Sequence, residues 1–290
     1  MRSEAVPEVL PRDSHCVAIF VLSAGSSPFL TDVLDSAVNA VRGRGEVVLV
    51  WSGRSAPPIT DPSIRLMTIS AGDFDHGRTR QLALDSCRAE FFVLLSDDAD
   101  PVDSKWLDNL LLGMQDPSIG AVYGRHKPRR GASVAETVFR LTRYPEHRLE
   151  LKSPNGGEPL LFPVSDANVA YRTAALRSVA GFPVPCPYGE DQIVLNKLLH
   201  AGWHAVYVQQ AATWHSHELS LREIFRRALA VGKVSGAKAV ARVSVTSAIP
   251  LIRTMLLRSW QSYGFRGAFV VGLAVMVRVF GFFAGRIVRT

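Results

Sequence analysis

Phe91-Phe92-Val93-Leu94-Leu95-Ser96-Asp97-Asp98-Ala99-Asp100 decides how this chain is read. Its five apolar residues have the length of a strand buried on both faces, and three carboxylates follow at the strand's end. Working back, Val17–Leu22 and Val47–Trp51 are apolar runs of the same kind, and Ile64–Ile69 is a plausible third. Between them, Leu30, Val33, Leu34, Ala37 and Val41 recur at helical spacing within Phe29–Val41, and Arg78–Arg88 reads as a second helix. Working forward, Trp106–Met114 reads as a helix and Ile119–Tyr123 as a strand. Strands alternating with helices predict an α/β fold built on a parallel, doubly wound sheet, with ligands outside the carboxyl ends of the strands.

Beyond Arg125 the alternation fades. Residues 126–160 read as loops around a helix at Val134–Thr142. Val164–Tyr171 and His204–Val208 are strand candidates; Thr173–Val179, Asp191–Ala201 and the basic amphipathic Leu219–Val231 are helix candidates. Thr246–Val288 reads as two helices divided near Gly264. The organisation expected is a leader over 1–14, an α/β unit over 15–240 and a helical tail over 241–290.

With 290 residues, 47% of them hydrophobic and 20% charged, the chain can bury a sizeable core, which excludes global disorder. Cys16, Cys87 and Cys186 are too few and too widely spaced for a disulfide framework or a cysteine-rich zinc site, so reduced cytoplasmic thiols are expected. The net charge of +7 is uneven: from Leu221 onward there are twelve Lys/Arg against Glu223 alone. A basic tail can meet nucleic acid or an anionic membrane face. Its phenylalanines lie in apolar surroundings rather than among base-stacking basic residues, which argues against nucleic acid. The apolar stretch Gly267–Gly285 contains Arg278, costly at the centre of a span, so an interfacial or core helix is preferred.

Four clusters could carry chemistry. Asp97, Asp98 and Asp100 are hard oxygen ligands suited to Mg²⁺ or Mn²⁺, although a solvated turn capping the next helix has the same composition. Gly72–Arg80 runs into a helix and could receive phosphate through its amides, Arg78 and Arg80, or could simply be an N-cap. Glu190-Asp191, after the turn at Gly189, could present a general base or favourable charge at a helix N-terminus. His215 and His217, two apart on an extended chain, could complete a metal site or be ordinary surface residues.

The order of these segments, LLSDDADP, SDANVAYR, GEDQIVLNKLLHAGW and HSHELSLREIFRR, resembles inverting family-2 glycosyltransferases of the GT-A fold, above all bacterial rhamnosyltransferases. The likeness covers about residues 15–235. It implies a mixed sheet flanked by helices with a C-terminal helical extension, a nucleotide-diphospho-sugar donor such as a dTDP- or UDP-sugar, and a divalent metal. By the same likeness Asp98 binds the metal, Asp100 completes a DxD, and His215 or His217 helps hold metal or diphosphate. Asp191 matches the catalytic base, with Glu190 beside it near the acceptor. Ser23, Trp51, Asp75, His76, Arg80 and Asp97 fall around the nucleotide sugar. Trp51 departs from the pattern, standing where such enzymes usually carry an Asp. A Trp can stack on a base but cannot accept its imide proton.

The expected acceptor is a glycan, a lipid-linked glycan or a natural product, reached by a protein held peripherally on the cytoplasmic face of the cell membrane. A second copy of the chain is a further candidate partner for the tail. Two other classes remain open: a nucleotidyltransferase acting on sugar phosphates, for which the Leu22–Ser27 loop is only weakly suited, and a non-catalytic membrane-binding module.

Overall fold

The computed structural model describes residues 16–25, 27–59, 61–152, 162–235 and 245–288. The leader over 1–14 and the boundary at 240/241 lie outside them. The first half alternates as expected: β1 (Val17–Ser23), α1 (Leu30–Val41), β2 (Gly45–Trp51), β3 (Ile64–Thr68), α2 (His76–Ser86) and β4 (Phe91–Ser96). A two-residue β5 (Asp100–Pro101) follows, then α3 (Trp106–Leu112), β6 (Ile119–Lys127), α4 (Val134–Arg143) and β7 (Leu149–Leu151). The chain continues through β8 (Asn168–Arg172), α5 (Thr173–Ser178), α6 (Glu190–His200), β9 (His204–Trp214), α7 (Leu221–Ser235) and α8 (Val245–Ile287).

The strands form one sheet in the order β3-β2-β1-β4-β8-β6-β9-β5, with β7 also paired to β9. Strands β1 to β4 are parallel neighbours, but β8 runs antiparallel to both β4 and β6. The all-parallel expectation is thereby corrected to the mixed sheet that the family likeness implied. Along β1, Val17, Ile19 and Val21 face the cluster formed with α1 and α3, while Ala18 and Phe20 face the opposite cluster with α2, α5 and α6. Burial on both faces is why these strands read as unbroken apolar runs.

Two strands outrun their predicted ends. β6 continues through the buried Arg125 and His126, and β9 continues past Gln209 to Trp214, so polar residues hid both extensions from a hydropathy pattern. The extra length carries each strand to the end of the sheet where the acidic run lies. The predicted break in the tail is at Gly264, whose φ of 64° interrupts α8. The two arms of α8 fold back on one another: Met255 and Val271 share a small apolar cluster with Val138 of α4. By length and composition Ile249–Ile287 is apolar enough to cross a membrane, yet its arms pack against α4 and α7.

Candidate active site

Two groups of polar side chains meet at the carboxyl end of β4. The first surrounds Asp98. One of its carboxylate oxygens lies 3.3 Å from His215 Nε2 and the other 3.4 Å from His217 Nδ1. These three side chains come together because the chain leaving β4 pairs, as β5, with the end of β9 through Asp100 and Trp214. His215 Nδ1 faces His126 Nδ1 at hydrogen-bond distance, and His215 Nε2 is buried without a hydrogen-bond partner. Burial holds His215 well below its ordinary pKa and brings His217 down to about 4, Asp98 opposing, so both rings are neutral and offer lone pairs. One carboxylate and two neutral imidazoles within 4.8 Å of one another fit a divalent cation.

Asp100 does not join this group. Its carboxylate turns toward α1 and accepts a hydrogen bond from Ser36 Oγ (3.2 Å). Asp97 is engaged on the other side, accepting from Ser23 Oγ at the end of β1. Burial pushes Asp97 up to about 6 against the effect of that hydroxyl. Arg129, not singled out from the sequence, donates through Nη2 to the Asp98 carbonyl (2.9 Å) and lies 3.5 Å over the Phe29 ring.

The second group is built on α2 and α6. Gly189, in the left-handed region at φ 81°, turns the chain into α6 and places Glu190 and Asp191 in its first turn. The Arg80 guanidinium, one turn into α2, lies between two carboxylates. Its Nε is 3.0 Å from Asp166 and its Nη2 is 3.3 Å from Glu190. The Tyr171 hydroxyl donates to Asp166 (2.7 Å). Burial opposes ionisation of Glu190, but Arg80 and His76 overcome it and hold this carboxyl at about 2. Asp166 is driven to about 6 by burial, and Asp191 well above the carboxylate range by burial and by ionised Glu190. Asp166 and Glu190 are 3% and 5% exposed, whereas Asp191 is only partly buried.

Arg80, expected at the nucleotide, is thus spent on the carboxylate cluster. Asp75 is likewise occupied: it caps α2 by accepting from Arg78 N (2.8 Å) and also accepts from Cys186 N (2.9 Å). Gly77 lets the 183–186 loop press against α2, since a Cβ there would stand 1.9 Å from the Pro183 carbonyl. His76 lies between the Phe74 and Tyr188 rings and 3.6 Å from Glu190. Trp51 is 5% exposed; Gly25 and Gly53 crowd its ring and its Nε1 donates to the Ser55 carbonyl. It closes the end of β2 rather than offering an open stacking face. Asp166 was visible in the sequence as part of SDANVAYR, but only the fold reveals its bond to Arg80. Arg143, at the end of α4 and within electrostatic reach of Asp191, carries a buried Nη1 without a hydrogen-bond partner.

No family model matches the chain. Among solved structures it is similar to the mannosyltransferase PcManGT of Pyrobaculum calidifontis in complex with GDP-Man and Mn²⁺. The match has a TM-score of 0.60 and 17% identity over 94% of this chain and 86% of that one. The architecture is that of the GT-A glycosyltransferases. In sequence, the chain is similar to the O-antigen chain rhamnosyltransferase RfbN of Salmonella typhimurium, 28% identical over 220 residues, 73% of this chain and 69% of that protein. It is also similar to the O-antigen chain rhamnosyltransferase WbaN of Salmonella anatum, 30% identical over 167 residues, 56% of this chain and 52% of that protein. The chain is a glycosyltransferase, and the resemblance to rhamnosyltransferases drawn from its motifs stands.

Proposed function

We propose that this chain moves a sugar, with rhamnose the first candidate, from a dTDP- or UDP-sugar to an acceptor hydroxyl, inverting the anomeric centre. The observation that carries the proposal is the division of labour among three carboxylates. Asp166 and Glu190 are buried against Arg80, while Asp191 is half-buried, keeps accessible surface and has a raised proton affinity. A carboxylate with that environment suits a general base. Ionised Glu190 increases the affinity of Asp191 for the acceptor proton, and Arg80 keeps Glu190 ionised. As Asp191 takes the proton, the hydroxyl oxygen attacks the anomeric carbon from the face opposite the diphosphate.

Asp98, His215 and His217 would hold Mg²⁺ or Mn²⁺, which when bound supplies Lewis-acid neutralisation of the departing diphosphate. Ser23 and Asp97, at the ends of β1 and β4, line the donor side, with Trp51 as its wall. On this reading residues 15–240 are the catalytic unit. The tail over 241–290 rests on the cytoplasmic membrane surface through its exposed aromatics.

Asp191→Asn is expected to bind donor normally by calorimetry and to lose about 10²-fold or more in transfer rate. In the unaltered protein, kcat/KM falls as pH drops through the raised Asp191 pKa, at higher pH than an unperturbed Asp near 3.9 would give. Full turnover by Asp191→Asn would overturn the base assignment.

A further inference from the structure

A cavity of about 460 Å³ lies between α4, α7 and both arms of α8, within the range of about 300–1,000 Å³ usual for ligand pockets. Its walls are mostly apolar, with Phe139, Ile224, Leu251, Val271, Val275 and Phe282 contributing. Three arginines also line it: Arg140, Arg227 and Arg278. Glu136, the one acidic residue of the lining, accepts from Arg140 Nε (2.6 Å) and from His217 N (2.9 Å). No carboxylate among the described residues lies within ion-pair distance of Arg227 or Arg278. Arg278 is exposed along the cavity it lines, with its guanidinium 4.5 Å over the Phe139 ring. Both guanidiniums are solvent-accessible and lie on an otherwise apolar wall, where they are free to receive an anion.

The cavity also shares His217 with the Asp98 group, so it borders the candidate metal site. We infer that this cavity binds a lipid phosphate, its apolar chain among α4, α7 and α8 and its phosphate on Arg227 and Arg278. The exposed Trp260, Phe265 and Phe269 near the turn at Gly264 give the tail an apolar surface from which such a lipid can enter. The role of this lipid as carrier of the acceptor rests on the proposed transferase activity; its binding does not.

The full chain is titrated with monomeric dodecyl phosphate, with dodecanol and with inorganic phosphate. Dodecyl phosphate is expected to bind at one per chain, at least about tenfold tighter than either fragment, since chain and charge each contribute. Arg227→Gln and Arg278→Gln should each weaken dodecyl phosphate roughly tenfold, the loss of one charge-assisted contact, and leave dodecanol unchanged. Ala274→Phe, which fills the cavity, should remove dodecyl phosphate binding while matching the thermal unfolding of the unaltered protein. If Ala274→Phe does not fold, the two arginine variants decide. Equal affinity for dodecyl phosphate and inorganic phosphate, or unchanged affinity in both arginine variants, overturns the inference. Donor binding is measured in the same samples: lipid binding without donor binding leaves the cavity intact and sinks the transferase proposal, and the converse sinks only the cavity.

Discussion

Replacing Arg80 with Met tests the electrostatic centre of the site. Arg80 is 7% exposed, and its guanidinium lies 3.0 Å from Asp166 and 3.3 Å from Glu190. At an effective dielectric of about 20, each contact is worth about 5 kcal/mol of attraction, most of it offset by the desolvation of all three groups. Removing one partner of a buried pair costs about 3–5 kcal/mol, because the charge left behind stays unpaired. Arg80→Met should therefore be destabilised by about that amount at pH 8, read from urea unfolding followed by tryptophan fluorescence. The sign of its pH dependence follows from the two carboxyls. Glu190, held at about 2, contributes stability that is present above its unfolded pKa and lost as pH falls; without Arg80 that contribution disappears. Asp166, already at about 6, penalises the folded state as pH rises through its pKa, and more so without the cation. The deficit should thus be largest above pH 6 and shrink toward pH 5 as the carboxyls take up protons. Adding Glu190→Gln to Arg80→Met should recover part of it. A deficit under about 1 kcal/mol at pH 8, or one unchanged between pH 5 and 8, refutes the buried-cluster account.

Asp98→Ala should bind Mn²⁺ at least about tenfold more weakly by calorimetry and lose donor affinity with it, one ligand of three being gone; equal Mn²⁺ affinity speaks against the triad. Trp51→Ala should lose about 3–5 kcal/mol of stability, as buried aromatics do, and an unshifted urea midpoint would show that the indole is not a packing element. Phe265 and Phe269 are 71% and 62% exposed, so Phe265→Glu with Phe269→Glu should leave unfolding unchanged. The same pair should cut flotation with anionic vesicles about tenfold or more, each ring being worth about 1.5–3 kcal/mol when buried; undiminished flotation excludes membrane contact through this turn.

The strands of the first half were legible because both their faces are apolar, and α1 because its apolar residues keep one helical face. β8 was recognisable as a strand, but not its direction, because antiparallel pairing leaves no mark on a five-residue run buried on both sides. β5 escaped because two residues carry no period. At the site, the family resemblance put Asp98 with His215 or His217, and the structure brings both imidazoles to that carboxylate. The bond between Arg80 and Asp166 joins residues 86 positions apart in the chain, and nothing local encodes it. Asp100 shows the converse: its spacing from Asp98 suggested a shared ion, but the backbone pairing of β5 turns it toward Ser36.

The place of β8 in the sheet also sets an order of assembly. β1, β2, β3 and β4 are complete by residue 96 and pair with one another, so this half can form early during synthesis, with only the outer edge of β4 left waiting for β8. β6 emerges next, yet both of its neighbours, β8 and β9, come later in the chain. Until residue 172 has been made, the edges of β4 and of Ile119–Lys127 have no native partner strand between them, a state that invites pairing between chains. Nascent chains halted between residues 127 and 168 are therefore the ones most in need of a chaperone.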